Sequence, residues 1–300
     1  MIKRICIVLL YVFYTVALVA VLLVVLFPKE PFLAWAAAKV EQVLPGYECS
    51  IEHISYEYPL QVRLSRISLV NAEKEVEIPI DTLVVDIEKK WPVKRVYLMA
   101  DLYGGTAEAK VNADRKAGTV TFNELHVDAL KLELIDFMQE SLDRKLQGNL
   151  RFSGRLVLTG AGLSESRFTG AVKVENFHTE LRRSVLGAGE FDFTEVAVDT
   201  ALYRRQITLE NGTFSGPLVA GNFAGKVNLQ KPWQQSRLQI ECGLQPQDAL
   251  LKKDQKVAAV TARLYRKYQE DFIPCVIGGN VKFPQFRFGH KAKPRVSAKK

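Results

Sequence analysis

The chain has 300 residues, 48% of them hydrophobic and 25% charged, enough for one large or two ordinary domains whose core needs no metal or disulfide. Its formal charge of +8 is confined to the two ends, in Lys3 and Arg4 and in Arg287, Lys291, Lys293, Arg295, Lys299 and Lys300. The remaining body carries 33 basic and 33 acidic residues, which argues against a nucleic-acid surface and leaves the tail to solvate the chain or to meet anionic headgroups.

The first predicted element is a membrane span. Ile5 to Phe27 forms a run of 23 residues without a charge, Gly or Pro. A helix needs about 20 apolar residues to cross a bilayer, whereas the core of a secretory signal has about 7–15. The run therefore reads as an uncleaved anchor, although WAAAK at 35–39 offers the small residues of a cleavage site. Lys3 and Arg4 precede it, and Lys29 beyond it sits beside Glu30. The positive-inside rule then keeps the N-terminus in the cytoplasm and sends the rest outward, into the periplasm of a Gram-negative cell. The expected organisation is a start and anchor at 1–30, a juxtamembrane helix at 31–46, a periplasmic sheet domain at 47–288 and a basic disordered tail at 289–300.

PFLAWAAAKVEQVLPG predicts that short helix, opening with Pro31 at a tolerated first-turn position and closing at Pro45 and Gly46. Phe32, Trp35, Ala36, Val40 and Val43 fall near one side, a face for the membrane interface or for packing under the first strands. From Tyr47 the period changes to two. ECSIEHIS, VRLSRISLV, VEIPIDTLVVDIE, RVYLMAD, TAEAKVNA and TVTFNELHVD alternate apolar and polar residues between turn-forming breaks, which predicts an antiparallel meander. Helical spacing returns in IDFMQESLDRKL, through Ile135, Met138, Leu142 and Leu146. Strands resume at Gly148 and continue to RLQIECGLQ. A second helix, VAAVTARLYRKYQEDF, presents Val257, Val260, Leu264 and Tyr268 on one side, and VIGGNVKFPQFRF reads as the final strand.

Three of these segments share a pattern: FSGRLVL at 152–158, FTGAVKV at 168–174 and FAGKVNL at 223–229. Strand side chains alternate between faces, so Phe152, Gly154, Leu156 and Leu158 share one face. The same holds for Phe168, Gly170, Val172 and Val174, and for Phe223, Gly225, Val227 and Leu229. Ile277, Gly279, Val281 and Phe283 follow a related scheme. An aromatic two residues from a glycine suggests a ring laid over bare backbone, with the glycine also permitting a bend or bulge. Two architectures fit this surface: the packed core of a sandwich or barrel, or an open, curled sheet with a lipid-accessible groove.

Convergent reactive groups are sparse. His53, His126, His178 and His290 are scattered, and no pair has metal-ligand spacing. GLSES at 162–166 has Ser166 where a nucleophile elbow requires Gly, so Ser164 reads as a turn residue. Glu133 and Asp136 read as carboxylates at a helix start. No glycine-rich phosphate loop occurs, and the expectation is a protein without enzymatic activity, cofactor or metal. Among the exported cysteines, Cys49, Cys242 and Cys275, Cys242 is in register with Leu238, Ile240 and Leu244 on an apolar face. That favours a buried free thiol, with a Cys242–Cys275 disulfide as the alternative in an oxidising compartment.

The uncleaved anchor, LPGY at Leu44–Tyr47, DLYGGTAEAKV at 101–111 and GNLRFSGRLVLTG at 148–160 together resemble the N subunit family of bacterial type II secretion systems. The element Leu102, Tyr103, Gly104, Gly105 is the most family-like piece, and the resemblance covers most of residues 5–285. That family is similar in turn to AsmA-like proteins, whose curled sheets are anchored to the inner membrane. The resemblance implies a mainly β fold, with an N-terminal transmembrane helix, a long curled antiparallel sheet forming an AsmA-like groove or open barrel, and two or three short helices. It implies a single-pass inner-membrane subunit that supports export of folded proteins across the outer membrane, with other secretion subunits as partners. The alternative it implies is lipid transfer in outer-membrane assembly, with phospholipid acyl chains held against Phe152, Leu156, Phe168, Val172, Val174, Phe223, Val227, Leu229 and Val281. No catalytic residue follows from either.

Overall fold

A computed structural model describes residues 14–15, 18, 29–43, 46–57, 61–71, 76–90, 93–114, 118–159, 166–253 and 255–290. The protein is mainly β, and the described residues form one open antiparallel sheet of 14 strands lying in space in their chain order. The strands are β1 (Glu48–Glu57), β2 (Gln61–Asn71), β3 (Val76–Lys90), β4 (Val93–Leu102), β5 (Gly105–Asp114), β6 (Thr119–Lys131) and β7 (Leu146–Thr159), followed by β8 (Arg167–Val185), β9 (Ala188–Tyr203), β10 (Gln206–Ser215), β11 (Val219–Asn228), β12 (Arg237–Pro246), β13 (Ile273–Gly279) and β14 (Pro284–Phe288). Helix α1 (Lys29–Val43) precedes the sheet, α2 (Asp136–Leu142) joins β6 to β7, and α3 (Asp248–Lys253) and α4 (Gln255–Tyr268) fill the β12–β13 connection. Sequential order follows from the connections, since a short hairpin delivers the chain to an antiparallel neighbour.

The expected span Ile5–Phe27 lies outside the described residues apart from Tyr14, Thr15 and Leu18, which are helical. Among the described residues no helix is long and apolar enough to cross a membrane. Residues 291–300 of the expected tail also lie outside them. Its first two residues are tied to the body: Gly289 N–H donates to the Pro274 carbonyl at 2.8 Å and His290 Nε2 lies 3.1 Å from Glu270.

Three helices differ from the sequence pattern. On α1 the half-buried positions are Phe32, Leu33, Ala36, Ala37 and Val40, a stripe that turns Trp35 outward to 57% exposure. This helix lies against β1, where Cys49 N–H donates to Glu41 Oε1 at 3.0 Å. Helix α2 is only seven residues long, ended by Asp143 in the left-handed region at φ 52°. Ile135 and Leu146 flank it rather than belong to it, and both are buried with Leu132 and Leu142. On α4 the inward stripe is Val257, Thr261, Leu264 and Tyr265, because Thr261 closes the i, i+4 spacing that Val260, 48% exposed, does not.

The last expected strand is a hairpin. Gly279 takes φ 78°, Asn280 Oδ1 accepts the Phe283 N–H at 2.6 Å, and Pro284 has no N–H to continue the β13 ladder. Val281 and Phe283 therefore lie in the turn. The expected bends also fall elsewhere, since Gly154 and Gly170 pair without a register shift. Shifts occur where Glu124, Ala129 and Asn211 adopt φ 48°, 55° and 51°. Such bulges add local twist and bend long strands. Trp233 from the β11–β12 connection and Val281 pack against the α2 cluster, and Arg144 Nη2 donates to the Lys282 carbonyl at 3.0 Å.

Candidate functional site

One face of β7–β14 is apolar row by row. Leu156, Phe168, Leu202, Ile207, Val227 and Leu238 stand opposite one another across β7 to β12. The next row is Gly154, Gly170, Thr200, Leu209, Gly225 and Ile240. Beyond it, Phe152, Val172 and Val198 run across β7 to β9, and Gly212, Phe223, Cys242, Cys275 and Phe288 across β10 to β14. The repeated segments thus lie in β7, β8 and β11, with β9 and β10 between the last two, on one face of the sheet. Leu202, Ile207, Leu209 and Ile240 belong to it equally; their alternation in VAVDTALY, QITLE and LQIECGL was the available signal, without the Phe-x-Gly mark.

The glycines give the aromatic rings room. A Cβ on Gly170 would stand 2.2 Å from the Ser153 carbonyl oxygen and 2.8 Å from the Phe168 ring, and one on Gly154 would stand 2.9 Å from that same ring. Phe168 in turn meets Phe152 with centroids 4.7 Å apart. The Phe223 ring lies over Gly212 of the neighbouring strand, 2.7 Å from its notional Cβ, rather than over Gly225. Ring over bare backbone is therefore real, but the partners are fixed by cross-strand register as well as by spacing within one strand.

This face is buried at two places and half-buried between them. Under α3 and α4, Phe191, Val219, Leu244, Leu250, Val257, Ile273 and Cys275 form a buried cluster. Around α2 a second cluster joins Leu132, Ile135, Leu142 and Leu146, with Val174 and Val281 packed against it. Phe152, Leu156, Phe168, Val172, Phe223, Val227 and Leu229 are each half-buried. Leu229 stands one residue past β11 and donates its N–H to the Arg205 carbonyl at 2.7 Å. Cys242 and Cys275, directly paired across β12 and β13 with Cα atoms 4.9 Å apart, form a disulfide, which corrects the expected free thiol. Adjacent strand register, invisible in one strand's pattern, brings them together.

The opposite face is charged. Arg151 bridges Asp128 at 2.8 Å and Glu175 at 3.2 Å, while Lys173 bridges Glu175 at 3.1 Å and Glu195 at 2.8 Å, so one ladder crosses β6 to β9. Hydrogen bonds to Glu195 and then Glu175 hold the Lys173 ammonium above its ordinary pKa. The Leu102–Gly105 element is a two-residue hairpin turn between β4 and β5, with Tyr103 and Gly104 at φ 48° and 69°. Lys131 N–H donates to the Tyr103 carbonyl at 3.0 Å, and a Cβ on Gly105 would meet the Asp128 carbonyl oxygen at 2.5 Å, so the turn is docked on β6. Burial first, then Asp136, Glu77 and Tyr47, push the Tyr103 hydroxyl pKa upward.

The other sequence candidates remain apart. His178 Nδ1 lies 2.7 Å from Asp192, Glu133 Oε2 accepts the Gly148 N–H at 3.3 Å, and Asp136 opens α2. Ser164 lies outside the described residues, and Ser166 is fully buried. Among the described residues no group of three or more His, Cys, Asp and Glu is placed to hold a metal ion. A cleft of about 810 Å³ opens where the β11–β12 connection meets the β13–β14 turn. Compared with protein-family models, with curated proteins and with solved structures, the chain matches none.

Proposed function

We propose that this chain is a non-enzymatic, inner-membrane-anchored subunit of the type II secretion N kind, supporting passage of folded proteins across the outer membrane. The observation that carries this reading is the open sheet, whose terminal strands β1 and β14, among the described residues, each pair with a strand on one side only. Such edges accept a strand from a partner through backbone hydrogen bonds. The docked Leu102–Gly105 hairpin supports the family resemblance as a structural element. Export of the body is supported by the Cys242–Cys275 disulfide, since disulfides persist in oxidising compartments, and by the 23-residue apolar run Ile5–Phe27 as its anchor. The test is a strain lacking the chain. A normally secreted, folded enzyme is expected to accumulate in the periplasm while the outer membrane keeps its detergent resistance; unimpaired secretion overturns the reading.

A second reading is favoured by a specific observation, the half-buried row Leu156, Phe168, Leu202, Ile207 and Val227 between the two covered clusters. In this reading the curled sheet carries acyl chains along that row, as an AsmA-like lipid-transfer protein would. Deletion then leaves secretion normal and makes the outer membrane permeable to detergent. Lipid extracted with the purified full chain is lost in Val227→Asp while cooperative thermal unfolding persists; retention of lipid in that folded variant overturns it.

A further inference from the structure

The cleft of about 810 Å³ is lined by two cations and several primary amides. Arg237 and Lys282 line it without any carboxylate, and among the described residues neither is ion-paired. Around them stand the primary amides of Gln230, Gln234, Gln239 and Gln285. Its walls are tied together: Val281 N–H donates to the Ser236 carbonyl at 3.1 Å, Lys282 N–H to the Gln234 carbonyl at 3.0 Å, and Arg237 forms an isolated bridge with Asn280. Beneath these bonds Ser236 is fully buried, and its Oγ accepts the Gln230 N–H at 3.1 Å. Gln234 Oε1 is buried and has no hydrogen-bond partner. A buried polar atom left unpaired costs free energy, and such exceptions in a folded protein often mark a ligand or water position.

The geometry points to a binding site for a phosphate ester bearing hydroxyl groups. Arg237 and Lys282 supply charge-assisted hydrogen bonds to the phosphate oxygens, and the amides both donate to and accept from hydroxyls. Turned toward the cleft, the Gln234 amide takes a hydroxyl donor on the carbonyl oxygen that is buried and unpaired without ligand. Two sources share this chemistry, a free phosphate ester and a lipid headgroup. Leu238, which lines the cleft and also ends the row Leu156–Phe168–Leu202–Ile207–Val227, is where an attached acyl chain would begin. Such a site needs neither a secretion partner nor acyl chains along that row.

The test uses the full chain in zwitterionic detergent, with Trp35→Phe and Trp91→Phe leaving Trp233, between the cleft residues Pro232 and Gln234, as the only tryptophan. Glycerol 3-phosphate and dihexanoyl phosphatidylglycerol are titrated against Trp233 emission, with dihexanoyl phosphatidylcholine as the control. Both anions are expected to saturate, with phosphatidylcholine binding about tenfold or more weakly. Arg237→Ala and Lys282→Ala each weaken binding about tenfold without altering the melting temperature. Gln234→Met weakens binding while leaving the free protein as stable or more so, an outcome that a purely structural glutamine does not give. Equal affinity for the two anions identifies a free phosphate ester as the source; a much tighter phosphatidylglycerol identifies the headgroup. Absence of saturable anion binding, or binding indifferent to both cation substitutions, overturns the site. Glycerol 3-phosphate that binds while no lipid co-purifies keeps the site and removes the acyl-carrier reading.

Discussion

The covered end of the apolar face and its middle are built from the same residue types at the same alternation, yet only one of them is a core. Around Ile273, fully buried, α3 and α4 lie over the sheet and Val257, Leu264 and Tyr265 close it from above. Around Phe168 the neighbours are Phe152, Leu156 and the backbones of Gly154 and Gly170, and each side chain keeps part of its surface in solvent. Strand alternation sets which face is apolar, whereas the helical connections set which part of that face leaves water. The contrast also separates stability from availability: the α3–α4 end holds the fold, and the half-buried row is the part free to meet something else.

The largest difference should come from truncating one residue in each region. Ile273→Ala is expected to cost about 4 kcal/mol, because nothing collapses into a cavity under two helices, while Val227→Ala costs about 1 kcal/mol. Urea unfolding of the two variants checks the contrast, and equal losses would show that the middle row is as well covered as the end. Next is the disulfide, which closes a 33-residue separation across the α3–α4 connection. Replacing both cysteines by alanine should remove about 3 kcal/mol. Loosening is expected at the α3–α4 end, where hydrogen exchange of Ile273–Gly279 should accelerate before that of β7 and β8.

A smaller effect tests the ring-over-glycine packing in the middle. A methyl on Gly170 meets backbone on the facing strand at 2.2 Å and 2.7 Å, which cannot rotate away, so Gly170→Ala should cost about 2 kcal/mol. Nothing lies within 4 Å of the corresponding position on Gly189, and Gly189→Ala should be near neutral, within about 0.5 kcal/mol. Thermal melts of the pair measure the difference directly.

These contrasts show what the sequence could carry. The β1–β12 meander was legible because period two is local, and so was the shared face of Phe152, Phe168 and Phe223. The β13–β14 turn carries no mark in the pattern because Val281 and Phe283 keep the apolar parity across Asn280, so the alternation runs on where the hydrogen bonding stops. The apolar pattern puts Val260 on the buried side of α4 because a threonine, Thr261, occupies the true inward position. The Cys242–Cys275 pair was legible only as the alternative to a free thiol, and the amide-lined cleft not at all, since each depends on residues brought together by strand pairing between distant segments. Coverage of the apolar face was invisible for the same reason: the α3–α4 residues carry no mark of which strands they will overlie.

The smallest expected effect concerns the charged face that backs the half-buried row. Lys173 sits between Glu175 and Glu195, which face each other across β8 and β9, and both carboxylates raise its pKa above the ordinary value of 10.5. A lysine whose folded pKa is raised stabilises the fold fully below its unfolded value and loses that contribution as pH rises through the folded one. Lys173→Met should therefore lower the urea midpoint slightly at about pH 8, since it also leaves two like charges opposed, and the gap between variant and parent should narrow above about pH 10.5. Unfolding both proteins at several pH values checks the sign. A gap that widens with alkalinity would mean that the ladder Asp128–Arg151–Glu175–Lys173–Glu195 does not brace these strands, and that the middle of the sheet is held by the rings and glycines of its other face alone.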